Sequence, residues 1–240
     1  MTKILRSVRR GMFVAVGIAA MALLFSACKK SLDVGNNTPV AGLMAFNLAP
    51  DKPAIGIALS GNSITTSPLN YTSYTGIYLN IYPGSRKVEA FNYGADTSFA
   101  STTQNFEVNN YYSAFALGAN GTYRTVVVND NLDSLSTTSG QAFVRYINAI
   151  PDSSKPAVTI TASGTDVSNN NASFGAVSTF TGINPGDIIV KVANGTNISA
   201  NRTITLEKGK VYTILLVGLP GNTDPAKAVQ IKYITNGSVQ

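Results

Sequence analysis

The sequence predicts an all-β fold in which two tandem antiparallel β-sandwich domains follow an N-terminal signal helix. Three observations support this prediction. Only 12% of the 240 residues are charged, while Gly, Ser, Thr, Asn, Val, Ile and Tyr dominate, which is the composition of short strands joined by turns. A segment that begins near residue 46 recurs about 100 residues later. Apolar residues in both copies alternate with a period of two, the period of a strand with one buried face.

The first 27 residues have the order of a secretory signal peptide, which is charged, then apolar, then small. Residues 1–10 hold four basic residues and no acidic residue, and residues 11–27 are apolar or small throughout. This run of 17 residues is short for a membrane-spanning helix, which needs about 20. We therefore predict that residues 1–27 are removed on export.

The run ends in Leu24-Phe25-Ser26-Ala27-Cys28, which resembles the lipobox of bacterial lipoproteins, with Phe25 where Leu is usual. The resemblance implies that the Cys28 thiol is diacylated, that the chain is cut before Cys28, and that the new amine is acylated too. Two or three acyl chains anchor a protein stably, so the expected partner is a membrane. The alternatives are an ordinary buried thiol at Cys28 or an uncleaved anchor over residues 11–27.

The residues after the lipid site predict the membrane of the cell envelope in which the protein resides. Lys29 and Lys30 follow Cys28, and the Asp that favours retention in the inner membrane is missing. We therefore expect a lipid-anchored protein of the outer membrane, with its leaflet left open.

The charge of the mature chain argues against nucleic acid as a partner. The formal charge is +6, but four basic residues lie in the predicted signal peptide, which leaves 14 basic against 12 acidic residues. No basic cluster of the kind that binds phosphates remains away from the anchor. With one Cys and no His, we expect no disulfide, no cofactor, no thiolate or imidazole metal site, and no Ser-His-Asp or Cys-His catalysis.

An internal repeat divides the mature chain. The string Pro50-Asp51-Lys52-Pro53-Ala54 recurs, with two inserted residues, as Pro151-Asp152-Ser153-Ser154-Lys155-Pro156-Ala157. The offset stays near 100 residues from Gly84 to Gly186 and from Gly118 to Gly218, which indicates two homologous units. The predicted boundaries are a signal peptide at 1–27, a flexible tether at 28–39, a first sandwich at 40–134, a linker at 135–139 and a second sandwich at 140–240.

Each unit contains six to eight short strands separated by turn signals such as Pro-Gly and Asn-Gly. In the first unit the alternating apolar sets are Leu43-Ala45, Ile77-Leu79-Ile81, Phe106-Val108, Phe115-Leu117 and Val126-Val128. In the second they are Val144-Tyr146, Val158-Ile160, Ile188-Val190-Val192, Ile204-Leu206 and Val229-Ile231-Tyr233. The continuous run Ile214-Leu215-Leu216-Val217 is typical of a central strand. Strands this short, with so many turns, predict Ig-like sandwiches.

Three strings carry a family resemblance: residues 49–57, the Pro185-Gly186 pair before a strand, and residues 202–213. They resemble the domain-of-unknown-function family 4397, a β-sandwich module of secreted and anchored bacterial proteins. The resemblance covers both units and implies the sandwich fold. Gly56 and Thr159 stand where an acidic residue is usual, so no carboxylate role is carried over there. The family brings no activity with it.

A strip of polar aromatic residues is the candidate ligand site. In the segment 77–82, alternation places Tyr78, Asn80 and Tyr82 on the face opposite the aliphatic residues. If that face meets water, its rings and amide suit stacking on a sugar or contact with a protein. The alternative is cross-strand aromatic pairing that only stabilises the sheet.

Two further features each have two interpretations. Asp51 and Asp152 are equivalent acids of the two repeats, and we favour turn capping over a calcium site because each loop holds a single acid. Asp133-Ser134-Leu135 matches a short O-glycosylation pattern of some bacteria, and its alternative is an ordinary polar linker. Glycosylation of Ser134 is left open.

The sequence therefore predicts a non-enzymatic envelope lipoprotein that serves as a binding or adhesion module for a glycan or an envelope protein. No catalytic residue is assigned, because Glu89, Glu107 and Glu207 stand singly in or beside strands and form no acid–base pair. The alternatives are a structural spacer without a ligand of its own and a carboxylate-based glycan hydrolase.

Overall fold

The computed structural model describes residues 38–135 and 140–239. The expected signal helix, Cys28, the tether up to residue 37 and linker residues 136–139 lie outside the described residues. Across the two described ranges, no helix has both the length and the apolar character needed to cross a bilayer.

Within the described ranges, nine strands form the first unit and eight form the second. The first unit comprises β1 (Ala41–Leu48), β2 (Ala54–Leu59), β3 (Asn62–Ser63), β4 (Leu69–Asn70), β5 (Leu79–Ile81), β6 (Gly84–Asn92), β7 (Ser98–Phe106), β8 (Tyr111–Ala119) and β9 (Thr122–Asn129). A 3₁₀ turn, Leu132–Ser134, follows. The second unit comprises β10 (Ala142–Asn148), β11 (Ala157–Ala162), β12 (Thr165–Asn171), β13 (Thr181–Ile183), β14 (Gly186–Ala193), β15 (Ser199–Leu206), β16 (Lys210–Val217) and β17 (Gln230–Ser238).

Each unit is a sandwich of two sheets. The inner sheets have the strand orders β5-β1-β8-β9 and β13-β10-β16-β17, and the outer sheets β3-β2-β6-β7, with β4 on β2, and β12-β11-β14-β15. The predicted all-β tandem sandwich fold is confirmed. Most strand pairs are antiparallel, but β1 pairs with β8, and β10 with β16, in parallel. Alternation does not reveal this difference, because parallel and antiparallel strands share the same period.

Three apolar clusters hold the sheets together. One lies inside the first sandwich, around residues such as Leu43, Ile57 and Val88, and one inside the second, around residues such as Val158 and Val190. The third joins the outward faces of the two inner sheets and comprises Met44, Phe46, Leu48, Phe115, Leu117, Ile147, Ala149, Leu215, Val217 and Ile234. The two sandwiches therefore pack sheet against sheet.

This packing corrects one expectation from the sequence. The alternation predicted one buried face for β1 and β10, but all eight residues of β1 and all seven of β10 are buried. The inner strands carry apolar residues on both faces because one face meets the outer sheet and the other meets the second sandwich. Burial on both faces is the usual setting of parallel strands.

The repeat extends to buried polar groups. The side-chain oxygens of Asn47 and Asn148 each accept a 3.1 Å hydrogen bond from the backbone N–H two residues later. The amide nitrogens of both side chains donate to backbone carbonyls, at 3.0 Å to Leu69 and 2.8 Å to Ala172. Buried amides need such partners, so each Asn fastens the end of its strand to the next loop.

The repeated Gly118 and Gly218 have a steric cause. Both have positive φ, +122° and +108°, and a Cβ at either position would lie 2.2 Å from a backbone carbonyl oxygen of the returning strand. Glycine alone fits, because such an approach leaves no room for a side chain and the backbone angle strains other residues.

We predict that Gly118→Ala and Gly218→Ala each lower the free energy of unfolding by about 2–4 kcal/mol, from backbone strain plus overpacking. Urea denaturation followed by circular dichroism measures the change. Gly237→Ala is the control, because no atom lies within 4 Å of its Cβ position. Equal stability of all three variants would contradict this account.

Candidate functional site

A buried ion pair joins the two sandwiches. Arg145 on β10 donates from Nη1 to Oδ1 of Asp130, which follows β9, at 2.7 Å. Their side chains are 2% and 0% exposed. Arg145 also donates to the hydroxyls of Ser113 at 2.8 Å and Thr213 at 3.0 Å. Such a pair is tolerated in the interior only when hydrogen bonds satisfy both partners, and here residues of both units do so.

Tyr78 belongs to this buried cluster. Its hydroxyl donates to Oδ2 of Asp130 at 2.5 Å and accepts from the side-chain amide of Asn236 at 3.2 Å. Burial, and then the neighbouring Asp130 carboxylate, raise the pKa of Tyr78 well above its usual value. The hydroxyl therefore stays protonated and acts as a donor. Its ring meets that of Tyr111 edge-on at 5.1 Å.

The predicted strip of Tyr78, Asn80 and Tyr82 is thus divided. Tyr78 lies away from the core of its own sandwich and is partly buried against the second sandwich. Ile77, which the alternation placed on the buried aliphatic face, is instead 65% exposed. Asn80 is exposed on the edge strand β5, and Tyr82 is 66% exposed beyond the end of that strand. Ligand binding by these two residues stays a prediction.

The equivalent acids of the two repeats have different partners. Asp152 caps its own turn, because its Oδ1 accepts from the N–H of Ser154 at 2.7 Å. Asp51 instead holds the β8–β9 hairpin, accepting from the N–H of Asn120 at 2.8 Å and the hydroxyl of Tyr123 at 2.5 Å. The predicted capping of its own turn is confirmed for Asp152. It is wrong for Asp51, which caps the β8–β9 turn instead of its own.

A cleft of about 990 Å³ opens where loops of the two sandwiches meet. The first sandwich contributes the β8–β9 hairpin and the second contributes the loops after β10, β12 and β16. The lining residues are Ala119, Asn120, Thr122, Pro151, Asp152, Ser153, Lys155, Ser173, Phe174, Leu219, Pro220, Gly221 and Asn222. Its volume is at the upper end of the range of about 300–1,000 Å³ for ligand sites.

The cleft lies at the pole away from the N-terminus of the described chain. β8 runs parallel to β1, and β16 to β10, so the loops that follow these strands share one end of the molecule. The chain enters β1 at Ala41, the other end of the same strands. Eight residues of extended strand separate the two poles by about 26 Å.

One wall of the cleft is fixed by a contact between the units. The guanidinium of Arg124, on β9, lies over the ring of Phe174 with its Cζ 4.0 Å from the centroid. The same guanidinium donates to the backbone carbonyl of Phe174. Stacking of an arginine on an aromatic ring stabilises such contacts, so the ring position depends on both sandwiches.

The carboxylate of Glu89 does not have the raised pKa of a general acid. Glu89 accepts from Lys87 at 2.7 Å and from the N–H of Gly61 at 3.0 Å. The hydrogen bond from Lys87 lowers the pKa of Glu89, whereas a general acid needs a raised pKa. Glu107 and Glu207 are exposed. Among the described residues, no three Cys, His, Asp or Glu side chains are grouped as metal ligands.

Ser134, the candidate glycosylation site, is exposed at the end of the 3₁₀ turn. Its hydroxyl donates to the backbone carbonyl of Asn131 at 2.7 Å. The turn leads into the stretch between the two sandwiches.

Sequence reasoning missed both the ion pair and the cleft. The sequence did contain a signal for the ion pair, because Arg145 is a charged residue between Val144 and Tyr146 in an apolar strand. A buried charge needs a partner of opposite charge. The cleft left no such signal, because its residues come from four loops and are ordinary turn residues.

Comparison with known proteins supports the family resemblance. The family profile described as Domain of unknown function (DUF4397) matches residues 41–155 and 142–232. No curated protein sequence matches the chain. A candidate cell adhesion protein from Bacteroides eggerthii is 12% identical over 83% of this chain and 96% of its own, with a TM-score of 0.26. Another from Parabacteroides distasonis is 8% identical over 82% and 99%, with a TM-score of 0.23.

We predict that Arg145→Met and Asp130→Asn each cost about 3–5 kcal/mol of stability, because each leaves a buried polar group without its partner. The double variant should cost less than the sum of the two, which a double-mutant cycle in urea measures. Lys87→Met, which breaks a more exposed pair, should cost at most about 1 kcal/mol. Additive effects at Arg145 and Asp130 would contradict direct coupling.

Proposed function

Because this chain belongs to the DUF4397 family, whose description names no activity, we propose its function from its own geometry. It is a lipid-anchored, non-enzymatic protein of the cell envelope that binds a glycan or a protein through the cleft between its two sandwiches. The observation that carries the proposal is the loop-lined cleft of about 990 Å³ at the pole opposite the N-terminal strand end.

The shape of the cleft depends on the junction between the sandwiches. The apolar cluster between the inner sheets and the Arg145–Asp130 pair hold the hairpin of one sandwich against the loops of the other. A site whose walls are fixed before binding loses less conformational entropy when a ligand enters. This arrangement favours a binding role over a spacer role, for which the cleft would have no use.

The N-terminal sequence supplies the proposed anchor. Nine residues, 29–37, lie between Cys28 and Thr38, where the described structure begins. Fully extended, such a tether reaches about 35 Å. A lipid at Cys28 would therefore be connected to the chain end that enters β1 at Ala41, and the cleft lies at the other end of that strand.

We predict that Cys28 carries the lipid. Cells that produce the full chain and are fed an alkynyl fatty acid should incorporate the label into the wild-type protein, and Cys28→Ala should abolish labelling. Cys28→Ser tests whether the thiol itself is needed, and it should also remain unlabelled. Label retained by Cys28→Ala, or a native mass that includes residues 1–27, would overturn the anchor.

We also predict that filling the cleft abolishes binding. Vesicles carrying the full chain should be retained on immobilised cell envelopes, and Ser173→Trp should lower retention at least about tenfold because the indole occupies the ligand volume. The matched control is Ser101→Trp, on an exposed position of β7 in the outer sheet. If Ser173→Trp is retained as well as the wild type, the cleft is not the binding site and the spacer function is favoured.

A further inference from the structure

The two repeats use the same Asp and Lys in different ways. In the first repeat both are engaged: Asp51 accepts from Tyr123, and Lys52 lies over the rings of Tyr123 and Phe99, at 4.6 and 4.8 Å from the centroids. Their counterparts by the sequence repeat are Asp152 and Lys155, and both line the cleft. The Asp and Lys side chains therefore contact their own sandwich in the first repeat and face the cleft in the second.

One substitution between the repeats contributes to this difference. The Cβ position of Gly118 lies 2.7 Å from the Cα of Tyr123, and that of Gly218 lies 2.8 Å from the Cα of Val229. Val229 therefore occupies the place of Tyr123 in the second sandwich. Because valine has neither a hydroxyl nor a ring, it cannot bind the carboxylate of Asp152 or cover the ammonium of Lys155.

The cleft consequently offers polar groups whose bonding capacity is unused. Within the described chain, Oδ2 of Asp152 and Nζ of Lys155 have no hydrogen-bond partner, and neither do the side chains of Asn120, Ser153 and Ser173. Together they provide a carboxylate, an ammonium, an amide and two hydroxyls, which supply both donors and acceptors.

An aromatic surface accompanies these groups. Phe174 lines the cleft, and Arg124 covers one face of its ring. Part of the ring packs against the apolar cluster between the inner sheets, and the part that lines the cleft gives it an apolar area beside the amide and hydroxyl groups. A sugar ring presents the same combination, with C–H groups on its faces and hydroxyls at its rim.

We infer that the cleft binds a neutral oligosaccharide, gripped by the loops of the second repeat against the β8–β9 hairpin of the first. This inference rests on the proposed binding function and assigns its ligand class. One acid and one base line the cleft, which matches a ligand without net charge.

The backbone around the cleft is unsuited to an extended peptide. A peptide that adds to a sheet needs an open strand edge. The strand residues of the lining are Ala119 and Thr122, which pair with each other, and Leu219 is bridged to Ala228. The free groups of the lining are side chains, and they suit hydroxyls.

The test uses the purified full chain in detergent on an array of neutral and charged glycans, with a peptide array run in parallel. Isothermal titration with the strongest neutral oligosaccharide then compares variants. We expect Asp152→Asn, which keeps the turn-capping oxygen, and Phe174→Ala each to weaken binding at least about tenfold. Phe174→Tyr should restore binding to within about threefold of the wild type. Asp187→Asn, an exposed carboxylate at the opposite pole, is the control.

Binding of a neutral glycan that is weakened by the two cleft variants, and not by the control, supports the inference. Peptide binding that the same variants weaken overturns the ligand class while the cleft remains the binding site. Glycan binding that neither cleft variant weakens would show that the cleft is not the binding site. Because Phe174→Ala could unfold the chain, every variant must have the circular dichroism spectrum of the wild type. If Phe174→Ala does not, the binding of Asp152→Asn alone tests the inference.

Discussion

The packing of the two inner sheets against each other is the constraint on which the rest of this structure depends. Ten buried side chains, which include Phe46, Phe115 and Leu215, fill the junction. Burial of that much apolar surface is the main favourable contribution to joining the halves. The Arg145–Asp130 pair sits in the same junction and adds little net stability, because its Coulomb attraction is offset by the loss of hydration. The pair instead favours one alignment of the two sandwiches, because any shift of one sandwich relative to the other would leave a buried charge without its partner.

This junction converts a duplication into a molecule whose halves differ. The two repeats keep the same buried Asn at a strand end and the same glycine where a strand returns. They also keep a tyrosine hydroxyl that accepts the backbone N–H five residues earlier, at 3.0 Å in Tyr112 and in Tyr212. These shared bonds maintain the sandwich. The loops at the far pole carry the differences, such as the distinct partners of Asp51 and Asp152.

The repeats thus divide their roles. The short β8–β9 hairpin places Tyr123 against Asp51, which closes the first repeat, whereas the longer loop after β16 leaves Asp152 open. Packing the halves side by side brings the closed loop of one and the open loops of the other to a common cleft. A single sandwich would offer each loop separately and would have no facing wall.

The sequence by itself determined the all-β class, the two sandwiches, the turns and the local cap of Asp152, because these depend on composition, period and residues close together in the chain. The tertiary structure alone decided that Tyr78 packs against the second sandwich, that Arg145 meets Asp130 and that four loops line a cleft. Alternation says which side chains share a face, but not what covers that face. The alternation predicts one exposed face for each of two sheets. When the two sheets pack together, both of these faces become buried, and only the tertiary structure shows this.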